Sequence, residues 1–331
     1  DDARLHLARA IIEEGVRNGA PFRDQLYLSY PTGETLARLP QYHGIMTRKV
    51  HSADNTGSVP GRLVRNEGDA ASGDTDVDTN YDLLARTYEC YDSLLGRDSY
   101  DDASAPLLST VHFQTRLNNA FSNGVNVFFG DGDGTVFGPL GSDPDVVTHE
   151  LTHSMTAQTS RLEYIKESGA LNESLSDISS AACESWLGGK VVDDAVWLLA
   201  EQSFTPGTPN DALRYMAEPK RDGSSRDYYP ELYRGDDDNG GVHINSGIPN
   251  LAFKLLVTGG THPRRKTTTN VRGIGVYKAA QIFFTASNFY MSPRTDMKQA
   301  RDYTVQAALS SLYPPDVVDS VRAAWDAVGV R

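Results

Sequence analysis

The sequence predicts an α+β protein of two lobes, a mixed β-rich front lobe followed by a mainly helical back lobe, with a functional cleft between them. Three observations carry this expectation. At 331 residues the chain exceeds what one hydrophobic core usually organises. Its front half mixes β-rich runs with helical patterning, whereas after Asp145 strand signals nearly vanish and long helical segments take over. With 39% hydrophobic and 23% charged residues the composition is that of a folded globular protein, so disorder is not the default.

In chain order, Ala3 to Gly19 has apolar residues at helical steps (Leu5, Ala8, Ile12, Val16) and predicts an amphipathic helix. Tyr27 to Val50 is mixed and turn-rich, and the polar stretch Gly61 to Asp78, punctuated by Gly68 and Gly73, reads as loop. Tyr81 to Leu95 suits a helix, whereas Leu107 to Phe113 and Val125 to Phe129 are strand-like. Asp131-Gly132-Asp133-Gly134 then forces a tight turn. The later helices are expected at Val146–Thr159, Gly169–Leu187, Asn245–Val257, Gly275–Phe284, Met297–Leu312 and Pro315–Val328, with the lobe boundary near Ser160. No internal repeat is visible, and Arg264-Arg265-Lys266 reads as a solvated loop patch.

Charge and composition exclude several classes. A net charge of -13 without a long basic run argues against a nucleic-acid partner. No apolar stretch approaches the ~20 residues that span a bilayer. Only Cys90 and Cys183 are present, too few for a cysteine-rich zinc site, and both are expected as free, buried thiols on helices.

The run His149-Glu150-Leu151-Thr152-His153 puts two imidazoles four residues apart, one turn apart on the same helix face, which suits two bonds to one zinc ion. A five-residue pattern with three fixed positions also arises by chance on surface helices, so its neighbours decide. On the segment Gly169 to Asp177, Glu173 can complete a zinc triad, and Asp177, one turn on, can accept a hydrogen bond from the far nitrogen of a liganding histidine. Glu150 shares the histidines' helix, and the usual task of such a carboxylate is to take a proton from the attacking water and hand it to the leaving amine. Peptide hydrolysis further needs donors for an oxyanion. His243, with Asp238 to hold its ring, and Tyr164 are the candidates.

These motifs together resemble the thermolysin family of metallopeptidases. The likeness runs from about Arg48 to the C-terminus and includes Leu117-Asn118-Asn119-Ala120-Phe121, Gly130 to Gly134, His149 to His153, Gly169 to Asp177, Asp238 to Gly247, Gly259-Gly260-Thr261-His262 and Ala323 to Val330. His153 and Glu173 are 173 − 153 = 20 positions apart, the spacing of that family's endopeptidases; related zinc aminopeptidases use one fewer. The resemblance implies a two-lobed thermolysin-like fold and one catalytic zinc. It implies Tyr164 and His243 as oxyanion donors, Asp238 orienting His243 and Asp177 orienting His149. Asn119, the Ala120 carbonyl and Arg214 would hold the substrate backbone. Phe137, Leu140, Val146, Leu199 and Leu213 would line the pocket for the residue after the scissile bond, predicting a preference for Leu, Phe or Ile without strict specificity.

One or more structural calcium ions are expected too. Asp145, Glu184, Glu201 and Asp193 or Asp194 offer hard oxygen ligands, which the resemblance places near the zinc helices, although four extra residues lie between Glu184 and Glu201. Phe204, Thr205, Thr208 and Asp211 suggest a second calcium loop. A further front-lobe calcium site is expected to be absent, because Arg65-Asn66-Glu67-Gly68 stands where the family has paired aspartates. Arg48 to Gly68 resembles the protealysin branch. Residues 1–47 then read as a retained prosegment or an added helical arm, with the arm favoured, residues 48–160 as the front lobe and 161–331 as the back lobe. The function expected is a monomeric neutral endopeptidase acting on proteins or peptides. It is expected to be secreted, although the protealysin branch also allows an intracellular place and no signal peptide is visible. The alternatives are a latent zymogen and a catalytically silent zinc- or peptide-binding protein.

Overall fold

The computed structural model describes residues 45–331 throughout and, ahead of them, the backbone of three strands. These are β1 (Ala8–Arg17), β2 (Ala20–Ser29) and β3 (Thr35–Pro40), an antiparallel sheet in the order β1-β2-β3. The helix expected over Ala3 to Gly19 is therefore a strand over its described part; residues 1–7, 18 and 19 lie outside the described residues. The physical reasons are local. Ile11, Ile12 and Val16 are β-branched, and Gly15 costs a helix about 1 kcal/mol. Arg17 pairs with Ala20, so only Asn18-Gly19 separates the strands, and that dipeptide is a strong hairpin signal.

The second sheet has the order β5-β4-β6-β8-β7, built from β4 (Arg48–Ser52), β5 (Arg62–Asn66), β6 (Leu107–Val111), β7 (Ala120–Ser122) and β8 (Asn126–Phe129). Its middle pairs β4–β6 and β6–β8 are parallel, and its outer pairs are antiparallel. A parallel pair needs a crossover, and α1 (Thr75–Leu95) lies in the connection from β4 to β6. Asp74 caps α1 by accepting from the Asp76 and Val77 amides, and Gly96 ends it at φ 67°. The expected loop from Gly61 to Asp78 thus contains β5 and the first turn of α1. Charged side chains on an edge strand hid the β pattern there, Arg62 and Arg65 being two of five residues. Glu67 sits just beyond β5, paired to Arg48 at 2.6 Å and bonded by the Tyr81 hydroxyl, while the Arg48 and Arg65 guanidinium groups lie 3.6 and 3.9 Å from the Tyr81 ring centroid.

The back half is helical: α2 (Pro144–Gln158), α3 (Lys166–Leu187), α4 (Asp237–Asn245), α5 (Gly247–Thr258), α6 (Val276–Phe289), α7 (Met297–Ser310) and α8 (Pro315–Ala327). Central among them is α3, buried without a break from Ser168 to Cys183. Its serines and alanines let α2 and the later helices approach closely. One core runs from Val50 in the sheet through α1, α2 and α3 to Val330, so the two halves share their apolar interior.

Cys90 on α1 and Cys183 on α3 form a disulfide, with Cα atoms 5.5 Å apart. This corrects the expectation of free thiols. Helical period puts each cysteine on a buried face, but only the packing of α1 on α3 brings the two faces within bonding distance. Among the described residues no helix is long and apolar enough to cross a membrane.

Candidate active site

Helix α2 starts where Asp143 accepts hydrogen bonds from the Asp145 and Val146 amides and Pro144 takes the first helical position. From that start, His149 and His153 project from one face with their Nε2 atoms 3.1 Å apart. Glu173 reaches them from α3, its oxygens 3.3 Å from His149 Nε2 and 3.4 Å from His153 Nε2. Asp177 accepts from His149 Nδ1 at 3.0 Å, and Asn172 Oδ1 accepts from His153 Nδ1 at 2.8 Å. Since a carboxylate and an amide oxygen only accept, both Nδ1 atoms carry the proton and both Nε2 lone pairs face the same point.

That donor set fits a divalent cation. The three ligand atoms lie within 4.8 Å of one another, and the fully buried Glu173 Oε2 makes no hydrogen bond among the described residues. Two imidazoles and a carboxylate are the ligands of open, catalytic zinc sites. The electrostatics point the same way: burial disfavours charge on His149, yet its hydrogen bond to Asp177 and the negative charges of Glu173 and Asp177 pull its pKa upward. The two carboxylates collect positive charge at this point. Glu150 lies beside it, its carboxyl raised by burial against the opposing pull of His149 and His153, and its Oε2 makes no hydrogen bond among the described residues.

On the opposite wall, the Tyr164 hydroxyl donates to Glu173 Oε1 and lies 3.2 Å from His243 Nε2. Asp238 takes His243 Nδ1 at 2.6 Å and the His243 amide at 2.8 Å. This clasp depends on a left-handed run at Asp238, Asn239, Gly240 and Gly241, with φ of 54°, 51°, 82° and 84°. Asp, Asn and Gly are the residues that tolerate it. At Gly240 a Cβ would come 2.6 Å from Lys166 Cγ, and at Gly241 2.7 Å from Tyr233 Cδ1, so neither position has room for a side chain.

A cavity of about 320 Å³ opens beside these groups. The apolar residues Phe137, Leu140, Val146, Leu199 and Leu213 all line it, together with Asn119, Ala120, His149, Glu150, Arg214 and His243. Ala120 begins β7, the strand at the sheet's edge. Arg214 forms a two-pronged ion pair with Asp177, at 2.6 and 2.8 Å. Asp222, Ser224 and Ser225 form a polar rim that the sequence reading did not single out.

Of the proposed calcium ligands, Asp145, Glu184 and Asp193 line a second cavity of about 320 Å³, and Asp194 and Glu201 are not among its lining residues. Burial and then the charges of Asp143, Glu201 and Glu184 push the Asp145 carboxyl far above its usual range. Burial and the charges of Glu201 and Asp193 raise Glu184 to about 7. Asp143, missed earlier, belongs to this crowd: it is raised to about 6 by burial, and Glu201 adds to the rise. In the second loop the Thr205 hydroxyl and the Tyr215 hydroxyl donate to Asp211, at 2.8 and 2.6 Å, and the Thr208 amide donates to the Thr205 carbonyl. Phe204 stacks edge-on against Phe137, 5.2 Å between ring centroids.

Sequence reasoning also missed Asn172 and Asn250. Asn172 precedes Glu173 directly, and its place beside a presumed ligand was the available signal. Asn250 donates to Asp177 from 73 residues away, which no local pattern announces.

A mixed sheet, a helical half and a His-Glu-x-x-His helix crossed by a third donor define a metallopeptidase architecture. Sequence comparison agrees: residues 30–157 match the family model for the thermolysin metallopeptidase catalytic domain, and residues 160–330 match that for its alpha-helical domain. The chain belongs to the thermolysin metallopeptidase family. The first match begins at residue 30, ahead of Arg48, where the motif likeness starts. Relatives include a bacillolysin of Brevibacillus brevis, 41% identical over 285 residues, covering 86% of this chain and 51% of the relative. A thermolysin of Bacillus sp. (strain EA1) is 39% identical over 324 residues, covering 96% and 57%. The chain spans about half the length of the curated relatives it matches. Among solved structures, the precursor of protealysin, a metalloproteinase from Serratia proteamaculans, superposes with a TM-score of 0.76 at 33% identity, covering 88% of this chain and 89% of that one.

Proposed function

We propose that the chain is a zinc-dependent endopeptidase that cleaves on the amino side of a bulky hydrophobic residue. The observation that carries this reading is the position of Glu150. It is buried beside the His149/His153/Glu173 donor set, has an oxygen free of hydrogen bonds among the described residues, and opens onto the apolar cavity. Zinc, when bound there, supplies Lewis acidity, polarising a carbonyl and making water acidic enough to attack at neutral pH. Glu150 takes the proton from the attacking water and returns it to the leaving amine. Tyr164 donates from its hydroxyl and His243 from Nε2 to the oxyanion as it forms, Asp238 holding the ring in place through Nδ1. The edge strand at Ala120 offers backbone groups to an extended peptide, Asn119 and Arg214 flank it, and Phe137, Leu140, Val146, Leu199 and Leu213 receive the side chain after the scissile bond.

Calcium is proposed at the Asp145, Glu184, Asp193 and Glu201 cluster, where carboxylates crowd around the buried Asp145 and call for a hard cation, and at the Thr205–Asp211 turn. Action as a secreted monomer is likewise proposed, and the Cys90–Cys183 disulfide favours an oxidising compartment.

Casein cleavage by the wild type and by Glu150→Ala, with and without a zinc chelator, tests the proposal. Cleavage should fall by at least about 10³-fold in the variant and be abolished by the chelator. Activity indifferent to both would refute it. A second reading, a latent precursor, is favoured by the likeness to a precursor structure. Incubation should then release about 47 N-terminal residues, and an unchanged terminus in an active enzyme counts against it.

A further inference from the structure

We infer that Asn250 is a positioning residue for the metal pole: it fixes the Asp177 carboxylate and so aims His149 at the cation. This rests on the zinc reading above. Asp177 is fully buried and takes four hydrogen bonds. His149 Nδ1 and Arg214 Nη2 donate to its Oδ1 at 3.0 and 2.6 Å, and Arg214 Nε and Asn250 Nδ2 donate to its Oδ2 at 2.8 Å each. A carboxylate has about four lone-pair sites, so this set saturates it.

The amide of Asn250 has only one workable orientation. Asp177 offers no proton, so the NH2 end must face it and Oδ1 must face away. Ser174 fills that second role, its hydroxyl donating to Asn250 Oδ1 at 2.6 Å. Ser174 sits on α3 directly after Glu173 and three residues before Asp177, and both it and Asn250 are almost wholly buried. One amide therefore bridges two points on the helix that carries the carboxylate ligand and the His149 orienter.

Asn250 also ties that helix to the wall carrying His243. Its backbone amide donates to the Ser246 carbonyl, and the Ser246 hydroxyl donates to the His243 carbonyl at 2.8 Å. Without the Asn250 donor, one lone pair of a buried carboxylate is left unsatisfied, at a cost the structure can relieve only by turning the carboxylate. Turning it slackens the His149 Nδ1 bond, which sets both the direction and the basicity of Nε2.

The test is the rate of zinc transfer from the purified protein to a chromogenic chelator, with zinc content measured first. The wild type should carry one zinc; a wild type that carries none refutes the zinc reading itself. Asn250→Leu should release zinc about 10-fold faster, in line with the effect of removing an outer partner of a liganding histidine, and lower kcat with little change in KM. Leu251→Ala, a cavity on the same buried helix, should lower the unfolding midpoint but release zinc at the wild-type rate. Ser174→Ala keeps the Asn250–Asp177 bond but frees the amide, and should speed release by a smaller factor. If Asn250→Leu releases zinc at the wild-type rate, or no faster than Leu251→Ala, the inference is overturned. Should Asn250→Leu not fold, Ser174→Ala decides: wild-type release from it overturns the inference, and faster release supports it.

Discussion

His112 shows how much a single side chain in the front lobe is asked to do. Its Nδ1 lies 2.9 Å from both oxygens of Asp131, in the glycine-rich turn after β8, and its Nε2 lies 3.2 Å from Asp74, the cap of α1. The hydrogen bond to Asp131 raises its pKa to about 9, burial opposing and the charges of Asp131 and Asp74 adding to the rise. Because the folded value exceeds the unfolded 6.5, the imidazolium's stabilisation is fully present below pH 6.5 and is lost as pH climbs through about 9. Allowing for partial solvent screening, it contributes on the order of 1–2 kcal/mol. His112→Gln should therefore unfold at lower urea than the wild type at pH 6, and the gap should close by pH 10; a gap independent of pH would sink the assignment. Residues such as this were invisible to sequence reasoning because their partners are 19 and 38 positions away. His149, His153 and Glu173 were legible because helical period alone puts the two histidines on one face, and the family spacing supplied the third. Asn172, Asp143 and Asn250 were not, since their meaning depends on which buried group each one meets.

Among the elements, the later helices were read well and strands unevenly: the runs at Leu107–Phe113 and Val125–Phe129 are β6 and β8, whereas β1 was taken for a helix and β5 for a loop. The expected helix at Gly169–Leu187 is α3 to within one turn, Lys166–Leu187, because a long buried helix is apolar or small on every face and needs no partner to satisfy its backbone. Strands β1 and β5 failed for opposite reasons. In β1 the apolar residues Ala8, Ile12 and Val16 happen to fall at helical steps, which outweighed β-branching and the Asn18-Gly19 hairpin signal. In β5 the edge position admits arginines that erase any apolar alternation. Element packing also made the one covalent link between helices. Cys90–Cys183 closes a loop with a sequence separation of 93, and joining α1 to α3 should contribute about 2–5 kcal/mol. Cys90→Ala/Cys183→Ala should lower the thermal midpoint by several degrees while keeping peptidase activity at 25 °C. An unshifted midpoint would show that α1 and α3 are held by packing alone.

For the whole molecule, the second cavity joins regions far apart in sequence: Asp145 at the start of α2, Glu184 at the end of α3 and Asp193 in the following loop. Burial and neighbouring negative charges make the charged forms of Asp145 and Glu184 costly, so a divalent cation binding this cluster should stabilise the entire fold. The thermal midpoint should rise with free calcium and saturate, fall on chelation, and respond less in Glu184→Gln; a midpoint indifferent to calcium would remove the site. The sequence by itself determined the residues of the proposed site: the order and spacing of His149, Glu150, His153, Glu173 and Asp177, the glycines that permit the Asp238 turn, and the helical identity of the back half. Those follow from local period and local sterics. Tertiary structure alone decided that Cys90 meets Cys183, that Asn250 and Arg214 share one carboxylate and that Asp143 joins the acidic crowd. Each of these depends on energies that exist only when distant segments pack: a hydrogen bond in a dry interior, repulsion between buried charges, a bond between faces brought together.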